Sequence, residues 1–289
     1  MDKELVTRND PKSPITESFK TIRTNLQFIN FEDNLKSILI TSTMPGEGKS
    51  WVTANLAVAF SQAGRKVLII DCDMRKGRQH KIFKAIYAPG LSNLLSSVST
   101  KKAEKKLENF VIKTKTQNIE LLPMGQIPPN PSELLNSKKM AEILAVAREK
   151  YDLVLLDGTP TLLVADSMIL SRLVDTTIIV SQYGRTKKED LAKVKKDIAN
   201  VGGRLAGVVI NKIPMSGKKY ESGYYHASED EVELDVPEQD APIKYNEEKI
   251  EEIVKKLITE EKKETVVKND ETKETLSKSE QLKVTDDNE

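Results

Sequence analysis

Residues 41–50 read TSTMPGEGKS, which sets Gly46, Glu47, Gly48, Lys49 and Ser50 in succession behind Pro45. Glycines let backbone N–H groups approach phosphate oxygens, a lysine here neutralises the β and γ phosphates, and the Ser50 hydroxyl can ligate magnesium. The chemistry implied is binding of a nucleoside triphosphate, with ATP and Mg2+ as cofactors. The stretch departs from the common pattern because Thr43 stands at its first glycine position. Trp51 follows directly, placed to pack against a sheet or to lie near the nucleotide.

Carboxylates that such a site needs come from two other places. The run VLIIDCDMR ends an apolar segment with Asp71 and Asp73, two residues apart and so able to point the same way on an extended chain. The run LVLLD ends another with Asp157. In a parallel sheet the carboxyl ends of the strands share one edge, so the three acids can converge on the loop for magnesium handling and proton transfer. Asn211, closing the last apolar run, is a candidate contact to the base.

These residues require elements to hold them. Apolar runs of strand length, most of them unbroken, recur at 37–41, 66–71, 119–122, 153–157, 176–181 and 205–211. Unbroken rather than alternating runs fit strands covered on both faces. Helical patterns at 50–63, 137–150 and 187–201 alternate with them. The expected fold class is therefore α/β, a doubly wound, mainly parallel sheet of the P-loop type. Ahead of it, Ile15, Phe19, Ile22, Leu26 and Ile29 mark an amphipathic helix over 14–31, docked on the sheet or on a neighbouring subunit. The reading is a flexible start at 1–13, a P-loop domain at 14–213 and a flexible, charged tail at 214–289. Within that tail lie a tyrosine cluster at 220–225 and a second amphipathic helix at 246–263.

Composition narrows the classes. The 45 Lys and Arg nearly cancel the 44 Asp and Glu, so no overall field draws the chain to nucleic acid or acidic lipid, and no nucleic-acid partner is expected. The single cysteine, Cys72, provides neither a disulfide nor a thiolate cluster. No apolar run approaches the ~20 residues of a membrane span, which predicts a cytoplasmic protein that reaches a membrane through a partner.

With its phosphate loop, VLIIDCDMR and YDLVLLDGTP, the chain resembles the bacterial tyrosine kinases of capsular and extracellular polysaccharide assembly. The likeness runs from ESFKTIRTNLQF through DMRKGRQHKIF, GLSNLL, LLPMGQIPPNPSELL and ADSMIL to GVVINK. It implies magnesium-ATP-dependent autophosphorylation of a C-terminal tyrosine cluster, here Tyr220, Tyr224 and Tyr225. It also implies a transmembrane activator, a cognate tyrosine phosphatase and a peripheral location at the inner face of the cell membrane. By that resemblance Lys49 contacts phosphate, Ser50, Asp73 and Asp157 serve magnesium, and Asp71 is the expected base. Phosphoryl transfer asks mostly for positioning and charge neutralisation, so this set is sufficient.

The family's ring-like self-association rests on a glutamate and two basic residues, matched here by Glu17, Lys20 and Arg23. Lysine at the middle position keeps the charge but loses the planar fork of a guanidinium. The chain departs from the family also in reading DGTP at 157–160 and in carrying Gly77 where a proline is usual. Two alternatives share the fold: a nucleotide-binding scaffold of the polysaccharide machinery with weak catalysis, and a partitioning-type ATPase. The latter typically carries a signature lysine where this chain has Met44.

Overall fold

The computed structural model describes residues 3–29, 35–97 and 107–214. Among them, the strands are β1 Ser37–Ser42, β2 Val67–Asp71, β3 Ile112–Lys113, β4 Ile119–Leu122, β5 Leu153–Pro160, β6 Thr176–Gln182 and β7 Leu205–Asn211. The helices are α1 Val6–Asn9, α2 Pro14–Ile29, α3 Lys49–Gln62, α4 Gln79–Ile82, α5 Leu91–Ser96, α6 Pro131–Leu135, α7 Lys138–Lys150, α8 Asp166–Ser171 and α9 Lys188–Asn200. All belong to the first of two units into which the chain divides, Met1–His226. The second unit, Ala227–Glu289, lies outside the described residues, as do Tyr220, Tyr224, Tyr225 and the helix expected over 246–263.

The strands form one sheet in the order β3-β4-β2-β5-β1-β6-β7. Every pairing is parallel except that of β3 with β4. Successive side chains leave opposite faces, which explains the unbroken apolar runs. Ile38 and Ile40 of β1, Val67 and Ile69 of β2, and Leu153 and Leu155 of β5 enter the layer built on α3. Leu39, Leu68, Ile70, Val154 and Leu156 enter the opposite layer, with Leu94 of α5 and Ile143 and Leu144 of α7. Helices on both faces of a parallel sheet follow from that pattern.

Helix α3 is buried on nearly every side, from Val52 to Ser61. The sheet takes one side and α2 another, where Phe19 meets the Trp51 ring edge-on with centroids 5.4 Å apart. The amphipathic helix expected ahead of the sheet thus docks on α3 of its own chain, and Trp51 packs against it.

The stretch before Pro14 departs from the flexible start expected for it. Residues Lys3–Leu5 form a 3-10 turn that runs into α1, and Leu5 is buried. Its anchor is Asn55, fully buried on α3. The Asn55 Oδ1 accepts the Thr7 N–H at 3.0 Å, and its Nδ2 donates to the Glu4 carbonyl at 2.9 Å. One leucine and one threonine carry too little pattern to announce a docked segment when the tether lies 48 residues away. Asn55→Ala is expected to cost roughly 1–3 kcal/mol by orphaning the buried Thr7 N–H. Hydrogen exchange should show residues 3–9 losing protection first.

Candidate nucleotide and phosphoryl-transfer site

At the carboxyl edge of the sheet, β1 runs through the phosphate loop into α3. Gly48 takes a φ of +103°, and a Cβ there would sit 2.1 Å from Asn211 Nδ2, so both conformation and space require glycine. The loop closes part of a cleft of about 660 Å³ whose walls include Lys49, Ser50, Asp73, Arg75, Thr159 and Lys212.

A phosphate loop that turns its N–H groups inward needs partners for what faces outward. Asn211 Nδ2 donates to the Glu47 carbonyl at 2.8 Å, and Lys212 Nζ to the Gly46 carbonyl at 2.6 Å. Asn211, expected at the base, thus also ties down the loop. The Glu47 side chain, 3% exposed, folds back beneath the loop. Its carboxylate accepts the Thr43 hydroxyl at 2.8 Å, the Met44 N–H at 3.0 Å and the hydroxyl of Thr186. The threonine that broke the glycine pattern is therefore a hydrogen-bonding partner of Glu47.

The three acids converge as expected. Lys49 Nζ lies 3.0 Å from Asp73 Oδ2 and 3.5 Å from Asp157 Oδ1, and donates to Ser50 Oγ at 3.3 Å. Burial alone would lower the Lys49 ammonium, but Asp157 and Asp73 outweigh it and hold its pKa above the ordinary lysine value. Asp71 and Asp157 are paired in register on β2 and β5. Both are fully buried. Burial pushes the Asp71 carboxyl well above the usual range, and the neighbouring Asp157 adds to the shift.

Asp71, expected as the base, is the more enclosed of the two acids at this strand end. Its Oδ2 accepts the Gln79 N–H at 3.0 Å, and the Gly77 backbone is so close that a Cβ there would stand 2.6 Å from Oδ2. It contributes no surface to the cleft, which Asp73 lines. Asp73 is held there by the Arg75 and Lys76 N–H groups, at 3.3 and 2.9 Å from its Oδ1. The same close approach shows why position 77 takes glycine here.

Sequence reasoning missed two residues. Gln79 is fully buried and donates to both the Ser50 carbonyl and Asp157 Oδ2 at 2.9 Å. Asp166, also fully buried, accepts Arg75 Nε at 3.3 Å and the Ser132 hydroxyl at 2.5 Å, which joins the PPNPSELL loop to the site. Neither stands in a motif whose chemistry is visible from spacing. At the N-terminal motif, Lys20 pairs with Glu17 at 2.7 Å on the surface. Arg23 instead turns inward, donating to the Ala59 carbonyl at 2.9 Å.

Among the described residues no three acidic, histidine or cysteine side chains form a ready-made cation cage. Magnesium needs none, since it keeps waters and shares phosphate oxygens with one or two carboxylates. Asp71 Oδ1 and Asp157 Oδ1 are buried without a hydrogen-bond partner beneath the cleft that Ser50 and Asp73 line. That donor set of oxygens fits magnesium.

A family model described as AAA domain matches residues 35–207. The tyrosine-protein kinase YwqD of Bacillus subtilis (strain 168) is 40% identical over 225 residues, 78% of this chain and 92% of that protein. The chain belongs to the bacterial tyrosine kinases. The crystal structure of the chimerical protein CapA2B2 superposes with a TM-score of 0.68 at 39% identity, covering 74% of this chain and 91% of that one. The septum site-determining protein MinD of Pyrococcus horikoshii OT3, solved with Mg-ADP, matches at a TM-score of 0.50 and 25% identity, over 61% of this chain and 69% of that one. The P-loop fold and the tyrosine-kinase class are thereby established, with nucleotide and magnesium binding as the shared property of the fold. Among the described residues no helix is long and apolar enough to cross a membrane.

Proposed function

We propose that this chain transfers the γ-phosphoryl group of ATP to tyrosines of its own C-terminal segment, between subunits, under control of a membrane activator. The observation that carries the reading is the meeting of Lys49, Asp73 and Asp157 beside one phosphate loop, with Lys49 and Asp73 on the cleft.

The loop N–H groups and Lys49 bind and orient the triphosphate. Ser50 and Asp157, with Asp71 behind them, would hold magnesium, which when bound neutralises charge on the transferring phosphate. Asp73 is the carboxylate at the cleft surface, placed to orient an entering tyrosine hydroxyl and accept its proton. Phosphoryl transfer through a loose transition state demands alignment more than a strong base, so a carboxylate fixed by two N–H groups suits the task.

The kinship with YwqD supports tyrosine as acceptor, and the likeness to the bacterial tyrosine kinases supports a membrane activator. The flanking sequence KKYESGYYHASED places Tyr220, Tyr224 and Tyr225 shortly beyond β7. A polysaccharide-assembly role, a cognate phosphatase and self-association through Glu17 and Lys20 complete the proposal.

The test incubates the protein with labelled ATP, magnesium and an activator tail, and maps the label. Wild type should label tyrosine, and Tyr220/Tyr224/Tyr225→Phe should lose most of it. Hydrolysis without tyrosine labelling would leave a nucleotide-binding scaffold or a partitioning-type ATPase as the better reading.

A further inference from the structure

Gln79, fully buried, bonds the phosphate-loop helix and Asp157 through its side chain and Asp71 through its backbone. Its Nε2 donates to the Ser50 carbonyl and to Asp157 Oδ2, each at 2.9 Å, while its backbone N–H donates to Asp71 Oδ2 at 3.0 Å. The amide cannot be reversed without setting Oε1 against two acceptors, so the network fixes its orientation. Oε1 itself is buried without a partner. An orphaned acceptor in so dense a site is retained because the other half of the amide is needed there.

Each inner acid has one oxygen tied by a hydrogen bond from Gln79 and one outside the hydrogen-bond network. On both, Oδ2 is held by Gln79, and on both, Oδ1 has no hydrogen-bond partner. Asp157 Oδ1 is the oxygen 3.5 Å from Lys49 Nζ. We propose that Gln79 is a positioning residue for magnesium, its side-chain amide selecting the oxygen that Asp157 presents and fixing Ser50 beside it.

The proposal rests on the reading of the cleft as a magnesium–nucleotide site, and it concerns ligand geometry rather than tyrosine transfer. Partners that orient metal ligands typically cost 10- to 100-fold in metal affinity when removed. Methionine matches glutamine in length and shape and removes both side-chain bonds, while the backbone N–H to Asp71 stays.

The experiment measures equilibrium binding of a fluorescent ADP analogue to the full chain during a magnesium titration. Gln79→Met should bind the metal-free nucleotide within about twofold of wild type, while its magnesium half-saturation rises by roughly 10- to 100-fold. In an Asp157→Asn background the same change should add little, because the carboxylate it orients is gone. Gln79→Thr, smaller and less demanding of space, should reproduce the shift if Gln79→Met fails to fold.

A magnesium curve that superposes on wild type, or an equal further shift in the Asp157→Asn background, overturns the proposal. Because no phosphoryl transfer is measured, a wild type that binds Mg-ADP yet labels no tyrosine would defeat the kinase mechanism and leave this inference standing.

Discussion

Replacing Lys49 by methionine is expected to lower transfer of label from ATP to protein by roughly 10²–10³-fold, the cost of removing one preorganised charge from a transition state. The same change should also weaken the fold. Lys49 stands 3.0 Å from Asp73 and 3.5 Å from Asp157, and both carboxylates are buried. Removing one partner from a buried ion pair leaves the other uncompensated, at about 3–5 kcal/mol. Urea unfolding at neutral pH measures this loss, and labelled ATP measures the first. The two effects separate in Lys49→Met combined with Asp157→Asn. Stability should return in part, because one buried charge has gone with the other, while transfer stays lost. An unfolding midpoint equal to wild type in Lys49→Met alone would show that the carboxylates do not need the ammonium, and the electrostatic account of the site would fail.

Local regularities announced most of the scaffold. The central parallel strands betrayed themselves because they are covered on both faces, which makes their middles apolar without interruption, as in Ile38–Ile40 and Val67–Ile70. The helix Lys138–Lys150 carried its start in Ser137, whose hydroxyl accepts the Met140 N–H. What stayed hidden depended on distant partners. β3 has only two residues, half-buried and exposed, and pairs as an edge with β4, so it has no run to detect. The N-terminal segment depends on Asn55, whose own environment is set by tertiary packing.

The site divides along the same line. Lys49, Ser50, Asp73 and Asp157 stand where strand ends and a glycine loop must put them, so spacing sufficed. Burial depth did not follow from spacing. Asp71 and Asp73 share a strand end and yet differ in access, because Gly77 and the Gln79 N–H close over the first. Glu47 stands within the phosphate loop, but its carboxylate serves Thr43, Met44 and Thr186. Thr186 enters from the segment after β6, 139 residues away in sequence, and no local pattern links the two.

Asp71→Asn is expected to make the metal-free protein more stable and a poorer enzyme. Burial, together with Asp157 across the strand pair, raises the Asp71 carboxyl in the folded state. A carboxyl raised above its unfolded value binds more protons folded than unfolded. Its contribution therefore favours folding at low pH and is lost as pH rises above about 4, the unfolded aspartate value, through the folded one. At neutral pH and above, wild type bears that cost, and the amide, which can still accept the Gln79 N–H, does not. The variant should gain on the order of 1 kcal/mol in urea unfolding at pH 8. Its stability should also fall less steeply than that of wild type between mildly acidic and neutral pH. Transfer of label should drop by roughly 10- to 100-fold, because a neutral amide is a weak partner for magnesium. A variant less stable than wild type at pH 8 would mean that the Asp71 charge is already compensated in the folded protein. Such a gain marks Asp71 as a carboxyl that burial, with Asp157 beside it, makes costly to ionise until a divalent cation offsets the charge.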